Sequence, residues 1–161
     1  TCRSKPAGRL LMNALMTAMV LWLSANFDLP ANFEHPKIQM ASQAEIMAMR
    51  YGPFQANALT ALELPTSPHR REVVAVYSFP NDTIYLPEGW TGNTPAELSV
   101  LVHEMVHHLQ NRAGAKFACI QESEAMAYAA QERWLGLYGH NLLADFEVDA
   151  FTLLASTRCF Y

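Results

Sequence analysis

The chain has 161 residues, 51% of them hydrophobic and 16% charged, well below the roughly 25% charged share of ordinary soluble proteins. That apolar content excludes a disordered chain, and the length predicts one domain over residues 1–161. A formal charge of −4 with 11 scattered Lys and Arg argues against nucleic acid, and 9 Pro and 7 Gly without a period exclude collagen-like and repeat architectures.

At the N-terminus, Arg3, Lys5 and Arg9 precede an apolar stretch from Leu10 to Leu23 and then Ser24-Ala25, the layout of a secretory signal. The stretch is too short and interrupted to read as a membrane span, so there is no firm evidence for a membrane. Asn13, Thr17 and Ser24 trace one narrow polar stripe, which a mostly covered helix of the mature domain explains and a signal does not require. A helix of the mature domain is expected here. Pro30 and Pro36 stop it, and a strand is expected at Lys37–Ala41. Ser42-Gln43-Ala44-Glu45 has the form of a capping box, opening a helix that ends near Tyr51-Gly52-Pro53. Residues 54–70 fit no single pattern, apart from a loop at Pro65-Thr66-Ser67-Pro68. Val73–Ser78 and Thr83–Leu86 read as a hairpin around Pro80-Asn81-Asp82. Thr94-Pro95-Ala96-Glu97 then combines an N-cap Thr, Pro at the first helical position and Glu at the third, starting a helix to about Asn111. Further helices are expected over Phe117–Leu137 and Leu142–Ser156.

The Thr94 helix contains His103-Glu104-Met105-Val106-His107. Two histidines at i and i+4 sit one turn apart on one face, so both imidazoles can reach one zinc ion. Glu104 can hold a water there and act as general base. Leu98, Leu101, Val102, Met105, Val106 and Leu109 gather on the other side, which turns the histidines toward a cleft or solvent. A hydrolytic zinc site needs a third protein ligand, and the acidic pair of Gln121-Glu122-Ser123-Glu124-Ala125 lies on the next helix. Gly114 lets the chain reverse, so that helix can return antiparallel. Glu122 and Glu124 are about 200° apart around a helix, so one at most faces the metal.

The HExxH motif followed by a Glu on the next helix resembles the gluzincin zinc metallopeptidases. Glu122-Ser123-Glu124-Ala125 is similar to the E-x-[EQ]-A stretch of the minimal gluzincins, in which the first Glu binds zinc. The resemblance covers Thr94–Trp134. It implies a zincin-like α+β fold, with a small antiparallel sheet packed on the active-site helix and flanking helices. It also implies Zn2+ as cofactor, His103, His107 and Glu122 as ligands and Glu104 as catalytic base. Met126 stands where the family often has Asp or Asn, which would leave the first His without its usual partner. An edge strand in that family pairs with an extended peptide, and Thr83–Leu86 is the candidate here. Tyr85, Tyr128, His108 and His140 are the candidates for stabilising an oxyanion.

The expected function is therefore zinc-dependent hydrolysis of peptide bonds in extended peptide or protein substrates. The alternative is a weak or inactive zincin-fold binding module with structural zinc. His108 is expected to pack beside the motif, and His35 and His69 to lie on the surface. Cys2, Cys119 and Cys159 have no CxxC spacing; either Cys119 pairs with Cys159 in an oxidising compartment, or all three are free thiols. The chain begins at Thr1, and a periplasmic or secreted location is preferred to a cytoplasmic one.

Overall fold

The computed structural model describes residues 6–52 and 75–160. The residues numbered 54–70, the Pro65–Pro68 loop, His69 and the start of the strand expected from Val73 lie outside them. Among the described residues the order is α1 (Pro6–Phe27), β1 (Lys37–Ala41), α2 (Gln43–Tyr51), β2 (Val76–Ser78), β3 (Thr83–Pro87), α3 (Pro95–Arg112), α4 (Ile120–Gly136), α5 (Leu142–Asp145) and α6 (Ala150–Thr157). The fold is α+β.

The sheet is mixed rather than antiparallel, in the order β1-β3-β2. β2 and β3 form the expected hairpin, with Tyr77 opposite Ile84. β1 runs parallel to β3, with Lys37 opposite Thr83. The chain between β1 and β3 includes α2, and a helical crossover is what parallel neighbours require. β3 is consequently the central strand. It has no free edge, and among the described residues β1 and β2 are the edge strands.

Local chemistry fixes the elements around the site. Ser42 and Glu45 close the capping box of α2: Ser42 N–H donates to Glu45 Oε2 at 2.8 Å and Glu45 N–H to Ser42 Oγ at 3.3 Å. Thr94 caps α3 through Glu97 N–H, and Glu97 in turn accepts from Thr91 N–H at 3.0 Å and Asn93 N–H at 3.1 Å. Burial opposes the ionised Glu97 carboxyl, but these bonds outweigh it and hold its pKa below the ordinary value. At the other end Gly114 adopts φ +65°, a conformation that a Cβ would disfavour, and the chain turns back into α4. Cys119 opens α4 and is disulfide-bonded to Cys159, which ties the C-terminal segment to the foot of that helix.

The helix expected over Leu142–Ser156 is two helices, α5 and α6. Glu147 takes φ +51° between them and Asp149 caps α6 by accepting from Thr152 N–H at 2.8 Å.

α3 runs through the centre of the molecule. Every residue from Ser99 to Gln110 is buried. Its apolar side meets Ile84 and Leu86 of β3 and Met16, Met19, Val20 and Leu23 of α1 in one core cluster. Trp22 of α1 packs edge-on against Trp134 of α4, with ring centroids 5.1 Å apart. One face of α1 is thus a core element.

Candidate metal centre

α3 and α4 pack antiparallel, as their cross-links show. Gln110 reaches Ser123 near the start of α4, while His103, two turns back along α3, reaches Gln131 two turns further on. This arrangement brings three potential donors together. His103 Nε2 lies 3.1 Å from Glu124 Oε2, His107 Nε2 lies 3.3 Å from Glu124 Oε1, and the two Nε2 atoms are 3.2 Å apart. Ligands about 2.0–2.1 Å from a tetrahedral zinc ion are separated by about 3.3–3.4 Å, which the imidazole pair matches; Glu124 meets the two rings through different oxygens, and one donor atom from each of the three residues lies within 4.8 Å of the others. Both histidines are buried and face a cleft, not bulk solvent.

The outer partners set the protonation of the rings. Gln110 Nε2 donates to the Ser123 carbonyl, which turns its Oε1 toward His107 Nδ1 at 3.2 Å. Gln131 Nε2 donates to Ser99 Oγ, whose own proton goes to Ala96 O, and its Oε1 faces His103 Nδ1 at 3.1 Å. Each Nδ1 must therefore donate, and each neutral ring presents a lone pair at Nε2. Two lone pairs and a carboxylate pointing at one place repel unless a cation lies between them. Burial opposes protonation of His107, but Glu124 and Glu104 outweigh it and raise its pKa. Burial likewise opposes ionisation of Glu124, and the neighbouring His103 and His107 rings overcome it, holding that carboxyl well below the usual range.

Glu122 does not join the cluster. Its carboxylate accepts from Ala118 N–H at 2.6 Å, so the expectation of Glu122 as third donor is corrected to Glu124. The buried face of α4 carries Ser123, Ala127, Ala130, Gln131, Trp134 and Leu135. At about 100° per residue Glu124 lies about 65° from the centre of that face, and Glu122 about 135° from it. The apolar period of α4 was the signal that could have separated them.

Glu104 is buried beside the histidines and borders the same cleft of about 350 Å³. Its Oε2 accepts from the backbone N–H of Tyr77 at 2.8 Å, which leaves Oε1 for a water or a substrate proton. That N–H belongs to β2, and Tyr77 is held from its other end. Its hydroxyl donates to Asp82 Oδ1 at 2.7 Å and accepts from Asn111 Nδ2 at 2.8 Å. Burial, followed by the bond to Asp82, pushes the phenol pKa up to about 12. Asp82 also pairs with His108 Nδ1 at 2.7 Å, and His108 Nε2 donates to Glu34 O at 2.9 Å. His108 is therefore a fully buried clamp between the hairpin turn and the back of α3.

A family model described as a domain of unknown function (DUF6647) matches residues 10–160. The chain belongs to that family. The DUF6647 match includes α1 as well as the two helices that carry the His103, His107 and Glu124 group. No curated protein and no solved structure matches the chain.

Of the four residues considered for the oxyanion, the DUF6647 fold brings Tyr128 to the site. Its ring lies 4.7 Å from that of His103, and it borders a smaller recess with His103 and Glu104. Burial raises the Tyr128 pKa against the opposing effect of Arg50, to which it is hydrogen-bonded. The other three are engaged elsewhere: Tyr85 accepts from Asn81, His108 faces Asp82, and His140 pairs with Asp145. His103 is not left without a partner by Met126, because Gln131, one turn and a residue further on, supplies it. Met126 instead packs against the core. His35, expected on the surface, is partly buried and hydrogen-bonds Thr17 Oγ1 at 2.8 Å.

Proposed function

We propose that this domain is a zinc-dependent hydrolase of peptide bonds with a zincin-like architecture, its metal held by His103, His107 and Glu124. The observation that carries the reading is the grouping of Glu124 with two imidazoles whose Nδ1 atoms are held by Gln110 and Gln131, one donor atom from each lying within 4.8 Å of the others, with Glu104 beside them in one cleft. An imidazole pair with one carboxylate suits zinc and leaves a fourth position open. A zinc ion so held supplies Lewis acidity, which makes water nucleophilic near neutral pH and polarises a carbonyl.

The chain's own residues divide the remaining work. Glu104 Oε1 accepts the proton of the attacking water and returns it to the leaving amine, while Tyr77 N–H keeps the carboxylate aimed by holding Oε2. Tyr128 stands on the other flank of His103 as a hydroxyl donor for the developing oxyanion. Among the described residues β2 pairs on one side only, and Ala75–Pro80 borders the cleft along its open side. An extended peptide can add there through backbone hydrogen bonds, with Met49, Phe79 and Ile120 offering apolar walls to its side chains. The alternative of an inactive zinc-holding module leans on Met126, and Gln131 removes that support by taking over the bond to His103.

Glu104→Gln tests the reading. The variant should bind zinc as the parent does and lose about 10²–10⁴-fold in cleavage of an extended peptide library. Unchanged cleavage would remove Glu104 from the mechanism, and no cleavage by the zinc-loaded parent would refute the peptidase assignment.

A further inference from the structure

α1 is apolar on two sides. Met16, Met19, Val20 and Leu23 enter the core, and nearly opposite them a second stripe faces outward. Leu10, Leu11 and Leu21 are 70%, 73% and 59% exposed, and Ala14, Ala18 and Ala25 complete the stripe without a polar residue among them. From Leu11 to Ala25 these positions recur at intervals of three and four, a line along the whole helix. A helix of 22 residues is about 33 Å long and apolar enough to cross a bilayer. Crossing would strip four side chains out of the core, whereas lying flat would leave them in place.

The charges around the helix indicate what covers the stripe. The first 27 residues contain three basic residues and no acid, while the remaining 134 contain 8 basic and 15 acidic. Arg9 is exposed beside Leu10, and Arg3 and Lys5 precede it in sequence. At the far end Arg133 lies over the Phe27 ring, and Trp22, Trp134 and Tyr138 form a chain of ring contacts reaching the exposed Tyr138. Basic and aromatic residues at the ends of an exposed apolar helix match the headgroup region of an anionic bilayer. We infer that α1 is an interfacial membrane-docking helix, which lies in the surface of an anionic lipid bilayer and immerses the Leu10–Ala25 stripe while its opposite face stays in the protein core.

The test is flotation of the purified 161-residue chain with vesicles of phosphatidylcholine and phosphatidylglycerol (7:3) and with phosphatidylcholine alone. Leu11→Glu and Leu21→Glu, at exposed positions, are compared with the parent after circular dichroism and thermal melting confirm an unchanged fold. The parent should float with the anionic vesicles, and each variant should lose about tenfold or more in partitioning. Arg9→Glu or 0.5 M salt should weaken binding, because the attraction to headgroups is screened. Absence of flotation, or flotation unaffected by both Leu substitutions, would overturn the inference. So would equal binding to neutral vesicles, or a lipid-free dimer by sedimentation that Leu11→Glu dissolves, since a second copy would then cover the stripe.

Discussion

Exchange of Glu124 for Ala, set against the same exchange at Glu122, separates the two carboxylates two residues apart on α4. Glu124 meets both imidazoles, at 3.1 Å and 3.3 Å, whereas Glu122 accepts from Ala118 N–H outside the cluster. Zinc-finger peptides hold zinc through four protein donors with about 10–16 kcal/mol, so one donor accounts for about 2.5–4 kcal/mol. Glu124→Ala should therefore weaken zinc by about 10²–10³-fold. Glu122→Ala gives up one hydrogen bond at the helix start, worth about 1 kcal/mol of stability, and should shift zinc affinity by less than about threefold. Competition against a chromophoric chelator at fixed pH measures both. Glu124→Gln, which keeps the shape and removes the charge, guards against a trivial folding defect. Zinc lost from Glu122→Ala but retained by Glu124→Ala would refute the geometry of the centre.

Gln131→Ala removes the acceptor that fixes the His103 ring and should weaken zinc about 10–100-fold while leaving the ligands intact, as the same competition assay would show. Asp82→Asn should destabilise the domain at pH 7 by about 1–2 kcal/mol, read from urea melts, because Tyr77 and His108 both hydrogen-bond a carboxylate still partly exposed. Burial opposes ionisation of Asp82, but those bonds prevail and hold its pKa below the ordinary value. The stabilisation is thus complete above about pH 4 and lost as pH falls through the folded value, and parent and variant should converge in acid. Reduction of Cys119–Cys159 releases a constraint across 40 residues of chain, worth about 4 kcal/mol by loop-closure entropy, and should lower the melting temperature of the reduced protein.

The parts of this molecule legible in its sequence are those decided by local chemistry. The strand Lys37–Ala41, the capping box of α2 and the Thr94-Pro95 start of α3 depend on residues within one turn of themselves, and they stand where their patterns put them. The break between α5 and α6 was also local, since Asp149-Ala150-Phe151-Thr152 is a cap signal, but the apolar residues on both sides hid it. Strand order was not local. Nothing in Thr83–Pro87 distinguishes a central strand from an edge one, because the parallel partner comes from the far side of α2. The candidate site divides in the same way. HExxH names His103, Glu104 and His107 by spacing alone, whereas Gln110 and Gln131 are uncharged and acquire meaning only when α4 folds back along α3. Tyr77 contributes a backbone N–H, which no side-chain pattern can reveal.

Whether two imidazoles and one carboxylate form a single cation site is tested most directly by elemental analysis of protein purified without chelators and re-equilibrated with zinc. One zinc per chain, falling toward zero in His103→Ala and His107→Ala and released in acid as protons compete for the imidazoles, is the result expected. A folded protein that takes up no zinc, or that keeps its full complement without either imidazole, would contradict it.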